Sequence, residues 1–588
     1  MSEPDSMTGA QIVMQALKDQ GVKVIFGYPG GAVLPIYDAL FQQNALHHVL
    51  VRHEQGAAHA AEGYARSSNQ VGVLLVTSGP GATNTVTGLA DALMDSIPIV
   101  CLSGQVPTHM IGNDAFQECD TVGITRPCTK HNYLVRDVNE LARTIHEAFA
   151  IARGGRPGPV LVDIPKDVQF ATGTYVGPEA VRKHVYNPRR IPDQKTVAQA
   201  VAMLAKAERP VFYTGGGVIN AGPKAAALLT EFVQLTGFPI TSTLMGLGGY
   251  PMRDRQFLGM LGMHGTYEAN LAMHGCDVML NIGARFDDRI TGKISEFSPG
   301  SKKIHVDIDP SSINKSVLVD LPIVGGAEET LAAMIKEWKA KKYQPHAALK
   351  KWWAQIEQWR KRDCLKYTAS KDVIKPQYAL ERLRELTKDR ETIITTEVGQ
   401  HQMWAAQFLR FDKPNHWLTS GGLGTMGYGL PAAIGAQMAN PKALVIDVAG
   451  EASILMNIQE MSTAVQQRLP VKIFIINNQW MGMVRQWQEL IHGGRYSQSY
   501  TEALPDFVKL AEAFGGVGLR ATKPSEVDGV IDAMLKVTDR PCIVDVCVDP
   551  KENCFPMIPG GKAHNEMIFG DDAVSPSEAT PEEGMVLV

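Results

Sequence analysis

The chain has 588 residues, a formal net charge of −4 at pH 7, 45% hydrophobic residues and 20% charged residues. At roughly 150 residues per domain, this length predicts three or four domains rather than a single core. The small net charge and the lack of long runs of like charge exclude the strongly basic surface of a protein that binds nucleic acid or an anionic membrane. We therefore expect an enzyme that acts on small molecules.

The N-terminal residues, "MSEPDSMTGAQIVMQALKDQG", show neither a charged-then-apolar signal nor an Arg/Ser-rich transit pattern, and no apolar run reaches the length of a membrane span. We expect a cytoplasmic location. The eight cysteines are scattered without a Cys-x-x-Cys pair, which is typical of reduced thiols rather than of a disulfide framework or a zinc site. We expect no catalytic cysteine.

Apolar runs of strand length alternate with helical patterns along most of the chain, as in "GVLLVTSG", "ALVIDVAG" and "KIFIINN". Repeated βα units with continuous Val, Ile and Leu strands predict parallel sheets that are covered on both faces. Two polar or charged stretches interrupt this pattern, and an irregular tail with Pro and Gly follows the last strand. We therefore predict three doubly wound α/β domains, with an N-terminal domain at 1–171, a linker at 172–195, a central domain at 196–340, a helical linker at 341–376, a third domain at 377–550 and a C-terminal arm at 551–588.

The segment Val445–Met483 contains a strand, a turn of small residues with one carboxylate, a helix and a second strand. This order predicts that Glu451 and Asn478 lie at the carboxyl ends of two parallel strands, where α/β sheets bind their ligands. Both side chains offer hard oxygen atoms of the kind that hold Mg²⁺ while leaving positions for phosphate oxygens. The segment alone fits equally well a buried strand pair whose glutamate caps the intervening helix.

A second glycine-rich stretch, "GLGTMG" at 422–427, fits the Rossmann Gly-x-Gly-x-x-Gly pattern, and Asp447 follows twenty residues beyond it. A nicotinamide dehydrogenase would follow from that match. The glycines continue to Gly429, however, and Pro431 then falls in the opening turn of the helix. The dehydrogenase interpretation also leaves Asn478 unexplained, so we disfavour it.

Glu54 opens a helix whose early face carries small residues from Gly56 to Ala65. Small residues on one face allow another backbone to approach closely. A lone glutamate at such a position is more often a helix cap or dipole partner than a catalyst.

Motifs spread over nearly the whole chain resemble those of one family. They include "FGYPGGAVLPIYDAL" and "GRPGPVLVDIPKDV" in the first domain, "ARFDDRITGK" and "HVDIDP" in the central domain, and "SGGLGTMGYGLPAAIGA" and "GMVRQW" in the third. In this order they resemble the catalytic subunits of the acetolactate synthase family, which are thiamine diphosphate (ThDP)-dependent enzymes. The segment Val445–Met483 is similar to the Gly-Asp-Gly…Asn-Asn signature of ThDP enzymes, and here reads Gly450-Glu451-Ala452.

The resemblance implies a fold and a reaction. The three domains would bind the pyrimidine ring of ThDP, FAD and the diphosphate of ThDP, in chain order. Pyruvate would be decarboxylated on ThDP, and the hydroxyethyl unit would be condensed with pyruvate or 2-ketobutyrate to give 2-acetolactate or 2-aceto-2-hydroxybutyrate, the first common step of branched-chain amino-acid biosynthesis. The implied cofactors are ThDP, Mg²⁺ and FAD, with no net redox role for the flavin. The implied assembly is a homodimer or tetramer with the active site at the subunit interface; whether a small regulatory subunit binds stays open.

The resemblance also implies roles for individual residues. Glu54 would hydrogen-bond the pyrimidine ring, Arg289 would bind the carboxylate of the second ketoacid, and Trp487 would shape the pocket for its side chain. A planar guanidinium suits a carboxylate because it can donate two parallel hydrogen bonds. The full set implied at the reaction centre and substrate pocket is Gly31, Ala32, Glu54, Phe116, Gln117, Lys166, Arg289, Met483 and Trp487.

Three further groups would hold the cofactors. Met426 is implied as the bulky residue that folds ThDP into a V shape. The residues implied for ThDP are Gly424, Met426, Gly450, Glu451, Ala452, Ser453, Asn478 and Gly482. Those implied for the metal are Glu451, Asn478 and the carbonyl of Trp480. Those implied for FAD are Gly215, Gly216, Gly217, Thr243, Leu244, Met263, His264, Arg285 and Asp307.

The chain departs from the family pattern at two positions of the turn. Glu451 is one methylene longer than the aspartate of the signature, and Ala452 in place of glycine disfavours a positive φ. We expect weaker metal retention as a result. The alternatives are another FAD-containing ThDP enzyme such as a pyruvate oxidase, against which Arg289 and Trp487 argue, and a catalytically silent flavin-binding regulator, against which Glu54 and Gln117 argue.

Overall fold

The computed structural model describes residues 6–181 and 190–570. Residues 182–189 of the predicted linker and residues 571–588 of the predicted C-terminal arm lie outside the described residues. In the described part of the chain, no helix combines the length and the apolar character that a membrane crossing requires.

The first domain is built on a six-stranded parallel sheet. Across the sheet its strands are His47–Leu50, Val24–Gly27, Gly72–Val76, Ile99–Gln105, Val160–Pro165 and His131–Leu134. Its helices are Gly9–Asp19, Leu34–Phe41, Glu54–Ser68, Pro80–Thr83, Val86–Asp95, Thr121–Thr125, Val138–Arg153 and Lys166–Phe170. A short antiparallel pair, Ser6–Thr8 with Thr172–Thr174, joins the beginning of this domain to its end.

The central domain repeats the same plan. The strands of its parallel sheet, in order across the sheet, are Phe257–Met260, Ile240–Ser242, Pro210–Thr214, Val278–Ile282, Lys302–Asp307 and Leu321–Val324. Its helices are Gln194–Lys206, Gly216–Asn220, Pro223–Thr236, Tyr267–Gly275, Asp288–Thr291 and Ala327–Ala340. Helix Leu349–Arg360 follows, and its buried Trp352 donates a hydrogen bond to the carbonyl of Pro210.

The third domain also carries six parallel strands. Across the sheet they are Trp417–Leu418, Thr392–Thr396, Leu444–Ala449, Lys472–Asn477, Cys542–Cys547 and Val517–Ala521. Its helices are Pro376–Thr387, Gln400–Phe408, Gly429–Ala439, Glu451–Ile454, Met461–Gln466, Gly482–Leu490, Phe507–Ala513 and Val527–Lys536. The prediction of three doubly wound parallel-sheet domains is confirmed. Central strands such as Gly72–Val76 and Val278–Ile282 are buried along their whole length, as sheets covered on both faces require.

The first and third domains pack together through helices Glu54–Ser68 and Gly429–Ala439. A Cβ at Gly63 would overlap the carbonyl of Ala432, and a Cβ at Gly435 would overlap the carbonyl of Ala60. Only glycine permits so close a contact between two helix backbones. The small residues that follow Glu54 in the sequence therefore serve the contact between these two domains.

Candidate active site

A narrow pocket of about 80 Å³ lies at the carboxyl edge of the third sheet. Glu451 follows strand Leu444–Ala449, and Asn478 follows the neighbouring strand Lys472–Asn477, so the two side chains meet where the sequence predicts. The residues of the predicted ThDP and metal sets that line the pocket are Met426, Gly450, Glu451, Ala452, Ser453, Asn478, Trp480 and Gly482, together with Met483 from the reaction-centre set.

Glu451 is suited to hold a cation. Its side chain is almost fully buried, and its Oε1 atom has no hydrogen-bond partner among the residues that the structure describes. Burial raises the pKa of Glu451 to about 8, and the backbone amides of Asn478 and Trp480 oppose that rise. A buried carboxylate oxygen without a partner is costly, and a metal ion would supply the missing interaction. The donor set of carboxylate and amide oxygens fits Mg²⁺.

The backbone at Ala452 differs from the expectation. Ala452 lies inside helix Glu451–Ile454 and is not among the non-glycine residues with positive φ. Because helical φ suits alanine as well as glycine, this substitution adds no backbone strain. Any cost at this turn therefore comes from the length of the Glu451 side chain alone.

Sequence analysis missed the stretch Val398–His401, which lines the same pocket. It follows strand Thr392–Thr396, the neighbour of the strand that precedes Glu451. Burial lowers the pKa of His401 to about 3, so the ring is neutral. Within residues 6–181 and 190–570, its Nε2 atom has no hydrogen-bond partner. The signal was the position of "VGQH" just after a predicted strand, at the edge of the sheet that also carries Glu451.

A much larger cavity, of about 840 Å³, lies where the three domains meet. Its volume falls within the range of roughly 300–1,000 Å³ that is usual for small-molecule and cofactor sites. Met94, Asp95 and Arg156 of the first domain line it, although sequence analysis did not single them out. The predicted site residues that line it are Gly216, Gly217, Thr243, Leu244, Met263, His264, Arg285, Arg289, Asp307, Gly424, Met426, Met483 and Trp487.

The central-domain wall of this cavity includes two of the three predicted glycines, Gly216 and Gly217. Gly216 opens helix Gly216–Asn220, and a side chain there would point toward Met245. The third predicted glycine, Gly215, is not part of the cavity lining. Its amide donates to the carbonyl of Ile282 across 3.1 Å, and a Cβ there would overlap Gly283 and Ala284. Gly215 therefore packs the turn against the adjacent strand.

The two cavities adjoin each other. Val398, Gly399, Met426, Met483 and Val484 line both of them, so the narrow pocket opens toward the large cavity beside Met426 and Met483. The space beside Glu451 therefore continues past Met426 into the cavity that Arg289 and Trp487 line. The Arg289 side chain is more than half exposed and lies 3.2 Å from a carboxylate oxygen of Asp288.

The predicted site residues of the first domain form a separate group. Each lies after the carboxyl end of a strand of the first sheet, which places them along one edge. Asn84 donates a hydrogen bond to Glu54, Gln117 has a φ of 60°, and Phe116 is 87% exposed. Within residues 6–181 and 190–570, the lining of neither cavity includes any of the six, which are Gly31, Ala32, Glu54, Phe116, Gln117 and Lys166.

The structure also tests whether the glycines at 422–427 form a dinucleotide-binding turn. Helix Gly429–Ala439 begins only after the last of them, and Pro431 lies in its first turn, as expected. Asp447 is fully buried beneath this helix and accepts a hydrogen bond from the Thr395 hydroxyl. A buried aspartate in that position is not accessible to a ribose. The interpretation as a nicotinamide site is therefore excluded.

Comparisons with known proteins agree with this architecture. Three models of thiamine pyrophosphate enzymes match the chain, the N-terminal TPP binding domain at 7–124, the central domain at 197–334 and the C-terminal TPP binding domain at 397–546. The acetolactate synthase isozyme 3 large subunit of Escherichia coli (strain K12) is 50% identical over 568 residues, covering 96% of this chain and 98% of that protein. The acetolactate synthase large subunit of Haemophilus influenzae (strain ATCC 51907 / DSM 11121 / KW20 / Rd) is 48% identical over 565 residues, covering 96% and 98%.

The chain belongs to the acetolactate synthase large subunits, within the thiamine pyrophosphate enzymes. In that family both the N-terminal and the C-terminal domain are TPP binding domains. The narrow pocket at Glu451 lies in the C-terminal TPP binding domain, and the group around Glu54 lies in the N-terminal one. Both regions that carry predicted ThDP residues in this acetolactate synthase family member therefore lie in domains that match TPP binding models.

Proposed function

We propose that this chain decarboxylates pyruvate and condenses the resulting two-carbon unit with pyruvate or 2-ketobutyrate, to give 2-acetolactate or 2-aceto-2-hydroxybutyrate. The observation that carries this proposal is the junction of the two cavities at Met426 and Met483. A hard-donor pocket for a metal diphosphate there opens into a space with a guanidinium and an indole, which suit a carboxylate and an alkyl chain. The identity to acetolactate synthase large subunits supports the same activity.

The narrow pocket would hold Mg²⁺ and the diphosphate end of ThDP. Glu451, Asn478 and the Trp480 carbonyl would ligate the metal, and the small residues Gly450, Ser453 and Gly482 leave room for phosphate oxygens. ThDP, when bound, supplies the carbanion-stabilising chemistry of the reaction, and the protein supplies orientation and electrostatics. Because the pocket measures only about 80 Å³, the rest of the cofactor would extend beyond it, past Met426.

The large cavity would hold FAD along its central-domain wall. The backbone at Gly216 and Gly217 would lie close to the phosphates. Arg285 would offer a cation, and Asp307 would offer a carboxylate, to the polar groups of the nucleotide. The other residues proposed for the flavin are Thr243, Leu244, Met263 and His264. In the same space, Arg289 would bind the carboxylate of the acceptor ketoacid, and Trp487 would contact its side chain.

The active site would be completed by a second copy of the chain. Glu54 and the other predicted first-domain residues line neither described cavity of their own chain, and two apolar side chains of this region, Phe116 and Leu34, are exposed. We propose that this edge faces the Glu451 pocket of the partner in a homodimer or a dimer of dimers. The relatives are named large subunits, which supports a smaller regulatory partner as well.

The decisive experiment incubates the purified chain with pyruvate, ThDP, Mg²⁺ and FAD and measures acetolactate, with parallel omissions of each cofactor. We expect product formation that needs both ThDP and Mg²⁺. In a parallel aerobic incubation with inorganic phosphate, formation of acetyl phosphate, CO₂ and hydrogen peroxide from pyruvate, phosphate and O₂ in place of acetolactate would favour a pyruvate oxidase. No product under any combination would contradict the proposal.

A further inference from the structure

A continuous series of hydrogen bonds connects Asn478 with the segment that follows the last strand. Asn478 Nδ2 donates to Gln400 Oε1 across 3.2 Å, and Gln400 Nε2 donates to Gln486 Oε1 across 2.8 Å. Gln486 is then paired with the backbone of Cys554, accepting from its amide at 2.8 Å and donating to its carbonyl at 3.0 Å. All four residues are buried.

The backbone of Cys554 fixes the direction of every amide in this series. A side-chain amide can rotate by half a turn and exchange its oxygen with its nitrogen, but a backbone N–H and C=O cannot. Gln486 must therefore direct its oxygen to the Cys554 amide and its nitrogen to the Cys554 carbonyl. The same Gln486 oxygen also faces Gln400. Gln400 must therefore direct its side-chain nitrogen, which is a donor, toward that oxygen.

The consequence reaches Asn478. Because the Gln400 nitrogen is committed to Gln486, the Gln400 oxygen faces Asn478 and requires the Asn478 nitrogen opposite it. Asn478 Oδ1, the only atom of that amide able to ligate a cation, is then directed away from Gln400, and it accepts the Trp480 backbone amide at 3.1 Å. A reversed Asn478 would offer an NH₂ group to the metal instead, and an NH₂ group does not bind Mg²⁺.

We propose that Gln486 is a positioning residue for the metal site, and that it transmits the hydrogen-bonding direction of the Cys554 backbone through Gln400 to Asn478. Gln486 lies on helix Gly482–Leu490, between the cavity-lining residues Val484 and Trp487, but it lines neither cavity itself. The inference rests on the Mg²⁺ site proposed above. The proposal means that the affinity of the metal site depends on Gln486, a residue that touches neither the metal nor the cofactor.

The test replaces Gln486 by methionine, which keeps the length of the side chain and removes the hydrogen bonds. Loss of an outer hydrogen-bond partner at a metal site costs about 10–100-fold in metal affinity. We expect the dissociation constant for Mg²⁺, measured by calorimetry on the holoprotein chain with saturating ThDP and FAD, to rise about tenfold. The variant Gln486→Glu keeps an oxygen toward Gln400 and, when its buried carboxyl group is protonated, can still donate to the Cys554 carbonyl, so at low pH it should recover most of the affinity.

Gln437→Met is the matched control. Gln437 is as buried as Gln486, also lies on a helix of the third domain and donates to two backbone carbonyls, those of Asn440 and Ala443, at 3.0 and 3.1 Å. The Gln437→Met variant should lose about as much stability as Gln486→Met while keeping the Mg²⁺ affinity of the wild type. Equal Mg²⁺ affinity in wild type and Gln486→Met would overturn the inference. Failure of the wild-type chain itself to bind Mg²⁺ with ThDP would instead contradict the proposed metal site.

Discussion

The side-chain amide of Asn84 donates a hydrogen bond of 2.9 Å to Glu54 Oε2, and so fixes one carboxylate oxygen at the start of helix Glu54–Ser68. The other oxygen, Oε1, lies on the side of Gly81, 3.5 Å from where a Cβ at that glycine would stand. Glu54 Oε2 is therefore held by Asn84, and we expect Oε1 to be the oxygen that meets a partner from outside the first domain. This geometry suits a carboxylate that exchanges a proton with a cofactor.

Glu54→Gln should fold and bind its cofactors almost normally while losing most turnover. The amide oxygen of glutamine can still accept the hydrogen bond from Asn84, but the amide cannot exchange a proton. General acid–base contributions amount to roughly 10²–10⁴-fold. The measurements are the acetolactate rate, ThDP binding by calorimetry and the apparent unfolding temperature. A near-normal rate would show that Glu54 has a structural role only.

Arg289→Ala should impair use of the acceptor more than decarboxylation, because only the second ketoacid needs a cation at this point of the cavity. We expect the ratio of acetaldehyde to acetolactate to rise. Asp288→Asn is the control, since it removes the ion pair of 3.2 Å while keeping the guanidinium. If both half-reactions fell equally in Arg289→Ala, the guanidinium would not be the acceptor site.

Trp487→Leu should lower the preference for 2-ketobutyrate over pyruvate. A large flat side chain can discriminate one extra methylene by roughly 1–3 kcal/mol. The measurement is the product ratio when both acceptors compete in one reaction. An unchanged ratio would place Trp487 outside the acceptor pocket.

The fold was predictable from the sequence because parallel strands buried on both faces read as continuous apolar runs. The meeting of Glu451 and Asn478 was predictable for a related reason, since adjacent parallel strands end at the same edge of a sheet. The pairing of Gln486 with Cys554 was not, because 68 residues separate them and no local pattern marks a buried amide that pairs with a distant backbone. The assignment of individual site residues stays a prediction.

Glu62→Gln should reduce the dependence of stability on pH. Burial raises the pKa of Glu62 well above its ordinary 4.5 and that of the neighbouring Asp91 to about 7, so the folded chain holds protons that the unfolded chain releases. Stability from these groups is complete below their ordinary pKa values and is lost as pH rises toward the folded values. A glutamine is neutral throughout and can donate as the protonated acid does.

The measurement for Glu62→Gln is the apparent unfolding temperature between pH 5.5 and 8 by differential scanning calorimetry. Each proton that the folded state retains contributes about 1.4 kcal/mol per pH unit to the slope of the unfolding free energy. We expect the unfolding temperature of the wild type to fall as the pH rises. The unfolding temperature of Glu62→Gln should fall less over the same range. Parallel curves for the two proteins would mean that Glu62 is ionised in the folded chain.

Glu451→Asp should bind Mg²⁺ more tightly than the natural chain. Backbone strain at Ala452 does not weaken Mg²⁺ binding, because Ala452 has no positive φ. The remaining cause is the additional methylene of Glu451 inside the narrow pocket. Mg²⁺ requires nearly ideal octahedral geometry at about 2.0–2.1 Å, so a longer carboxylate must adopt a strained rotamer to reach it. A strained side-chain torsion costs of order 0.5–1.5 kcal/mol, which corresponds to roughly two- to tenfold in affinity.

Titrations of activity and of calorimetric heat against Mg²⁺ compare the natural chain, Glu451→Asp and the control Glu451→Gln. The control keeps the length of the side chain and loses its charge, so it should bind Mg²⁺ more weakly than either of the others. If half-saturation in the natural chain is equal to or tighter than in Glu451→Asp, the pocket accommodates the longer carboxylate without strain. The burial of Glu451 and the unpartnered Oε1 atom would then reflect a pocket shaped for glutamate from the outset.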